Sequence, residues 1–459
     1  MKKIISIIAS FLAFSISAAA QNYYFEKSYI ATDSQANCCY PQGISASLPG
    51  QKAVIFWQDI DESNRHIYLS AKSSLNGYYW ETTLRFAGPI EYMGDVPNVF
   101  SAASNSKSIV VAAMTSSTQI TVFTSNDYFK TFSSAVLDTN GHNFIAPRVF
   151  RNSKNEFTML ASLPENESFS IFSSTSRDGT TWSEFSRITA TSQIENSYNP
   201  IAPYLAPVQG GDLLVYQAQY TQSNLISIQL YTAISRDGGK TFSKPSLITG
   251  EQIVPDDPKF YNYNNQFPTV AKSSTGETYI AWERSPFYST NADIYVAKLN
   301  PNGTIKGEAE RISTTGYAAK PELFEFNGTM NLLWFTTVSG SRQVYLTTKK
   351  GAWWEDSKII SGKNSSMALP LIANAGKDLS FVWEEFNSSK KKTGLAILNT
   401  DRSVSKPKIS AVNFKQNQKS NSKEVTARVT TTEDSSGIRG FSWIWTKDIS
   451  QEPPKEVMN

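Results

Sequence analysis

The stretch PTVAKSSTGETYIAWE, residues 268–283, reads as a β-hairpin. A proline opens a short apolar run, Ser-Ser-Thr-Gly makes a polar turn, and a second run of aromatic and β-branched residues ends in Trp282. Apolar residues set at strand period and bounded by turn formers favour strands over helices. The same pattern returns as PQGISASLPGQKAVIFWQ from Pro41, PNVFSAASNSKSIVVAAM from Pro97 and PRVFRNSKNEFTMLAS from Pro147. It continues as PYLAPVQGGDLLVYQA from Pro203, PELFEFNGTMNLLWFT from Pro321 and PLIANAGKDLSFVWEE from Pro370. A third strand follows each pair, as in HIYLSAKS, SIQLYTAIS, DIYVAKL and QVYLTTK, and a fourth completes the unit. Repeats of this length, each a small sheet, are the signature of propeller blades. The chain is therefore all-β, a seven-bladed β-propeller over residues 21–405, with six blades as the alternative. YYFEKSYIA, near the start, is expected to add the outer strand of the last blade and close the ring, which leaves few open edges.

The hairpins carry a second motif. Ser176-Arg-Asp178-Gly179-Thr-Thr-Trp182 and Ser235-Arg-Asp237-Gly-Gly239-Lys-Thr-Phe242 have short oxygen side chains that can bond turn amides, glycines that accept positive φ, and a terminal aromatic that can pack between sheets. Weaker copies are SNDYFKTF from Ser125, SLNGYYW from Ser74 and TKKGAWW from Thr348. These turns resemble the Asp box of sialidase-superfamily propellers, and the resemblance covers roughly residues 22–405. It implies that the turns lie on the face opposite the ligand site. It also implies a catalytic set of three arginines for a carboxylate, an Asp acid/base and a Tyr–Glu nucleophile pair. The first arginine of that set stands two residues before the Pro of the first unit, where this chain has Cys39. The other units have Asp95, Ile145, Ile201, Gln266, Ala319 and Ala368 at that offset. A guanidinium is hard to replace in bidentate recognition of a carboxylate. The departure points to a non-catalytic member.

Were the chain an enzyme, Asp59, Asp61, Glu283 and Arg284 would carry the chemistry; Asp59, Asp61 and Glu62 are read as a loop after a second strand, with Glu283-Arg284 and Glu384-Glu385 in matching places. The ligand-binding candidates are Cys39, Tyr40, Asp95, Tyr263, Gln266, Phe267, Glu283, Arg284, Tyr288, Lys320 and Glu384, on segments read as loops rich in aromatics and amides. Flat rings beside amides and carboxylates suit a polar ligand that stacks and hydrogen-bonds at once, a glycan or a peptide. Packing of the loops against one another is the plain alternative for each residue.

Other chemistries find little support. His66 and His142 are the only histidines, far apart, with no zinc spacing, so no metal and no cofactor is implied. The net charge of +3 shows no nucleic-acid footprint. MKKIISIIASFLAFSISAAA, residues 1–20, reads as a signal peptide, and no later stretch is apolar enough to span a bilayer. An exported chain, secreted, periplasmic or at the cell surface, follows. Adjacent Cys38 and Cys39 then raise a vicinal disulfide, with free thiols or intermolecular pairing as alternatives. Neighbouring Cα atoms are about 3.8 Å apart, short of the usual disulfide span, so such a ring would be strained.

Past about Ser405 the pattern stops. Residues 406–459 hold about three strands of what reads as an incomplete immunoglobulin- or fibronectin-like module. Three functional readings follow: a binding propeller for glycans or proteins, a divergent sialidase-like exo-glycosidase, or the extracellular sensor of a longer protein.

Overall fold

The computed structural model describes residues 24–29, 37–45, 48, 52–61, 63–75, 80–91, 99–165, 168–188, 197–222, 224–250, 259–289, 291–313, 316–373, 378–387, 390–399, 408–411 and 427–430. The signal-peptide reading, Glu62, Asp95 and most of the C-terminal segment lie outside these residues, as do the side chains of Cys38, Cys39 and Tyr40. The described residues form antiparallel sheets, with one short 3-10 turn at Phe260–Asn262. No helix among them is long and apolar enough to cross a membrane.

Sheets one to seven follow one another along the chain, over residues 37–91, 100–136, 145–187, 197–247, 263–311, 317–359 and 365–399. Within each, the strands pair in sequence order, except that in sheet six Ser341–Lys350 pairs with both Trp353–Trp354 and Lys358–Ile359. Sheet seven takes its fourth strand from the other end of the chain: Tyr24–Tyr29 pairs antiparallel with Lys390–Asn399, Tyr24 opposite Asn399 and Tyr29 opposite Gly394. The first strands touch one another in succession from sheet one to sheet seven, and that of sheet seven returns to sheet one. Far along the chain, Lys408–Ala411 and Ala427–Thr430 form a separate two-stranded pair.

The core sits between neighbouring sheets. Phe56, Phe86 and Phe129 fill the gap between sheets one and two, and Val149, Met159 and Phe157 meet Val110 and Ala112 between two and three. Trp282 packs with sheet-four residues Leu213 and Val215, and Trp383 with Phe324 and Leu333 of sheet six. Trp57, Trp282 and Trp383, each closing a Pro-led repeat, are fully buried. Burying one such ring contributes about 3 kcal/mol or more. The second strands are buried without alternation, as along Ala53–Asp59 and Phe157–Leu163, because each face of a blade meets a neighbour.

Two features of the first strands were not visible in sequence. Tyr263–Lys272 begins five residues before Pro268, and Asn37–Ser45 and Ser197–Val208 likewise run through their prolines, so segments read as loops are strand. The pairing of first and second strands also slips one residue at the proline in sheets one, three, five and six, slips twice in sheet four, and in sheet seven slips between Ser366 and Leu369, ahead of Pro370. Proline lacks the N–H a ladder needs and is tolerated at such bulges. The residue before it takes a left-handed backbone at Ala146 (φ 49°), Ala202 (50°), Phe267 (51°) and Lys320 (52°). Positive φ at bulky residues is uncommon and is held only where the surroundings fix it.

The Asp-box turns stitch sheet to sheet. The Ser235 hydroxyl accepts from the Gly239 amide at 2.8 Å, while Asp237 accepts from the Lys240 and Thr241 amides at 3.0 and 2.9 Å. Burial pushes the Asp237 carboxyl up, but bonds from Thr241, Ser235 and Lys240 outweigh it and hold it at about 2. The Thr158 hydroxyl of sheet three donates to Gly238 O at 2.9 Å, and Thr124 of sheet two to Gly179 O at 2.7 Å. Ser125 and Asp127 build the same turn without glycine: Phe129 N donates to Ser125 Oγ at 2.8 Å, and Tyr128 and Phe129 take positive φ. The Trp182 indole donates to Gly179 O inside its own turn at 3.0 Å, and Phe242 packs partly buried in the sheet-three to sheet-four core. The Thr348 copy is a plain hairpin over Gly351 in which Lys349 pairs with Trp354, and part of the Ser74 copy falls outside the described residues.

Candidate functional site

First-strand starts, second-strand ends and third-strand starts share one face of the ring, and the Asp-box turns occupy the other. Sequence candidates on the first face divide sharply once placed. Asp59 lies within Ala53–Asp61, not in a loop after it, and is 5% exposed. Its Oδ1 accepts from the Trp57 indole at 2.8 Å and its Oδ2 from the Ser70 hydroxyl at 2.7 Å. The residue two after the tryptophan does the same in sheets six and seven, where Thr336 and Glu385 accept from Trp334 and Trp383 at 3.0 and 3.2 Å. These acceptors fix indoles in the core. Asp61 is also strand and closes the turn that follows: Ser63 and Asn64 side chains donate to it and hold its carboxyl at about 2.

Arg284 is buried too. Its guanidinium stacks 4.0 Å from the Tyr263 ring centre, and Nη1 donates to Asn265 Oδ1 at 3.4 Å, beside the Trp282 indole at 2.8 Å. Tyr288 is 87% exposed, in the turn after Thr278–Pro286. Glu384 is buried at the matching place of sheet seven.

The remaining candidates converge. Glu283 is fully buried at the end of its strand, and its Oε1 accepts from Gln266 Nε2 at 2.9 Å and from the Tyr317 hydroxyl at 3.0 Å. Its Oε2 has no well-formed hydrogen bond. Burial raises the Glu283 pKa, against the pull of Gln266, Tyr317 and the nearby Lys320 charge. Burial and the Glu283 charge push the Tyr317 phenol up to about 12. The Lys320 ammonium sits 3.0 Å from the Phe267 ring centre, and burial lowers its pKa to about 8, with Glu283 opposing and Arg148 assisting. Among the described residues Lys320 makes no ion pair with a carboxylate.

A second group lies toward the ring axis. Arg148, Tyr204, Thr269 and Glu322 each follow the proline of their first strand, in sheets three, four, five and six. Burial drives the Glu322 carboxyl up to about 7, with the Arg148 charge and the Thr269 hydroxyl drawing it back. Burial also lowers Arg148 and raises Tyr204, and each responds to the charge of Glu322. Groups from four sheets that sense one another must surround a common space, the axis. Tyr317, Arg148, Tyr204 and Glu322 were absent from the sequence-based set. The signal was present, since all but Tyr317 occupy the same place after the proline.

Repetition exposes what is unusual about Glu283. Gln217 of sheet four follows Tyr216 as Glu283 follows Trp282, and its Oε1 accepts from the Phe267 amide of the next sheet at 2.9 Å. Gln58 of sheet one reaches the Val99 amide of sheet two in the same way, at 3.5 Å. A neutral amide is enough for that bridging role. Sheets five and seven place carboxylates there, Glu283 and Glu384, and burying a carboxylate costs free energy that an amide does not.

No family model matches the chain, and no curated protein matches it. Solved structures do match. The polysaccharide lyase Uly1 is similar at 12% identity, covering 76% of this chain and 88% of its own, with a TM-score of 0.53. A protein of unknown function from Dyadobacter fermentans matches at 10% identity, covering 81% of this chain and 97% of its own, with a TM-score of 0.50. An α-L-arabinanase of Penicillium chrysogenum complexed with arabinobiose matches at 15% identity over 81% of this chain and 95% of its own, with a TM-score of 0.47. At such identities the first two matches show the fold alone, a propeller of four-stranded sheets.

Proposed function

We propose that the chain is an exported, seven-bladed propeller that binds glycans on the face holding Glu283, Tyr317, Lys320 and Phe267, without cleaving them. Six four-stranded sheets, one five-stranded sheet and a closed ring of first strands support the blade count. Export rests on the leader-like residues 1–20, and residues 406–459 are proposed to begin a further sandwich module. The observation that carries the binding reading is Glu283 itself. Where sheets one and four make do with glutamine, a buried carboxylate stands beside an aromatic ring and the Lys320 ammonium, which makes no ion pair among the described residues. That set offers an acceptor, a donor and a stacking surface, the groups a sugar engages. A polysaccharide lyase among the structures sharing the fold is in keeping with a glycan ligand. No arginine stands two residues before any of the seven prolines, which speaks against the carboxylate-gripping hydrolases the chain resembles.

Glu283→Gln tests this, because glutamine keeps an oxygen to accept from Gln266 and Tyr317 and replaces the other with a neutral NH2. On a glycan array the wild-type protein gives a signal that Glu283→Gln and Lys320→Met reduce about tenfold or more, while the Tm of Glu283→Gln stays level or rises. An array signal unaffected by both variants overturns the placement of the site. One observation favours a second reading, a hydrolase: the Tyr317 hydroxyl lies 3.0 Å from Glu283, the kind of pair that serves as nucleophile in the family resembled. Turnover of fluorogenic glycosides that disappears in both Glu283→Gln and Tyr317→Phe would replace binding with catalysis.

A further inference from the structure

On the same face, beside the Glu283 group, a small cavity of about 140 Å³ opens between sheets three and four. Phe169, Ile201 and Ile228 give it apolar walls, and Asn199, Gln217 and Gln219 line the rest. Ile201 is 36% exposed at the rim, whereas Gln217 is 4% exposed at the back. The amides are arranged with one acceptor and one donor left over. Asn199 Nδ2 donates to Gln219 Oε1 at 2.7 Å, while Asn199 Oδ1 is buried without a partner. Asn199 holds a φ of 54°, a left-handed backbone that asparagine tolerates better than most residues. Gln217 Oε1 is taken by the Phe267 amide, and its Nε2 donates to nothing among the described residues. Buried polar atoms are almost always satisfied in folded proteins, so the Asn199 oxygen calls for an occupant, with the Gln217 Nε2 donor beside it.

Phe267 ties this cavity to the first group. Its amide binds Gln217, and its ring lies under the Lys320 ammonium. No charged side chain of the described residues lines the cavity. The missing partner is therefore a neutral group that accepts from Gln217 and donates to Asn199, carried on an apolar body. A hydroxyl pair or an acetamido group at the edge of a sugar ring has that chemistry. We infer that this cavity is a second sugar subsite, taking a neutral unit of the same glycan whose neighbouring unit lies at Glu283 and Lys320, so that the ligand is an oligosaccharide. The inference rests on the glycan-binding reading of this face.

Calorimetric titration of the whole exported chain tests it. The probes are glucose and glucuronate as single units, and glucuronosyl-β-glucose and glucuronosyl-β-N-acetylglucosamine as pairs. At least one disaccharide is expected to bind about tenfold tighter than the tighter single unit, the gain of one well-filled subsite. Comparing the two disaccharides shows whether hydroxyls or an acetamido group supply the contact. Ile201→Trp fills the cavity from its exposed rim, and Asn199→Gly removes Oδ1 while keeping the left-handed backbone. Each should bring the disaccharide down to the affinity of the single unit, leave the single-unit affinity unchanged within about twofold, and leave the Tm in place. Equal affinity for one and two units, or a disaccharide preference that survives both substitutions, overturns the subsite and leaves the Glu283 site standing. Absence of binding by all four sugars overturns both.

Discussion

Lys320 and Glu322 flank Pro321 on one strand, and burial moves their pKa values toward each other, to about 8 and about 7. For Glu322 the folded value lies above the unfolded value near 4.5, so between the two the folded chain binds the proton and the unfolded chain does not. Stability therefore falls as pH rises from about 4.5 to about 7. At about 1.4 kcal/mol per pKa unit, the fall from this one group is about 3 kcal/mol. Glu283 adds a fall of the same sign. Lys320 acts oppositely above pH 8: the folded chain loses its proton before the unfolded chain does, and stability recovers toward its unfolded pKa near 10.5. Arg148, Tyr204 and Glu283 face this pair from the adjoining sheets and stay in place in the variant. Urea melts from pH 4.5 to 8 should show a shallower decline in Glu322→Gln than in the wild type. A decline of equal depth would mean that Glu322 is already charged in the folded chain. Little of this was legible from the sequence. Aromatics and acidic residues on candidate segments were visible, but whether Asp59 serves a core indole or a ligand depends on Trp57 and Ser70 reaching it. Likewise Arg148 and Glu322 lie more than 170 positions apart and are brought near only by closure of the ring.

At the scale of the element, the Asp-box turn was readable because its work is local. Ser, Asp and Gly at fixed offsets bond amides three or four residues away, so spacing alone announces them. The copy at Ser125 shows how far the rule stretches, since Tyr128 and Phe129 accept φ of 64° and 63° where other copies have glycine. The bulge before each proline was not readable, because a slip in register depends on both strands. The turn also carries a testable energy. Asp237→Ala strips the acceptor from the Lys240 and Thr241 amides and from the Thr241 hydroxyl, and should cost about 1–3 kcal/mol. Gly239→Ala should cost at least about 1 kcal/mol, because φ is +84° and a Cβ would meet Thr158 Cγ2 at 2.5 Å. Both losses are read in urea melts at neutral pH. Neither variant should alter sugar binding, since the turn is on the face opposite Glu283. Loss of binding at full stability would show that the turn does more than hold the sheets.

For the whole molecule, the decisive contact is the one between the two ends of the ring. Seven sheets laid side by side would leave sheet seven with three strands and an open edge at Lys390–Asn399. Tyr24–Tyr29 fills that edge through six paired residues, from Tyr24 opposite Asn399 to Tyr29 opposite Gly394. This was legible because an aromatic-rich strand with no hairpin partner nearby must pair elsewhere. The strand therefore acts as a clasp: the first strands of sheets one and seven already touch, and the outer strand fixes that closure from the rim. A chain starting at Ile30 should fold less stably than one starting at Gln21. Losing one strand's ladder and packing is worth several kcal/mol, seen as a Tm lower by roughly 5–10 °C. The exposed edge of Lys390–Asn399 should also pair with other copies, giving concentration-dependent association by light scattering that the longer chain lacks. If the shorter chain melts at the same temperature and stays monomeric, the contacts among first strands close the ring unaided. In that case the outer strand would be dispensable to the face that holds Glu283.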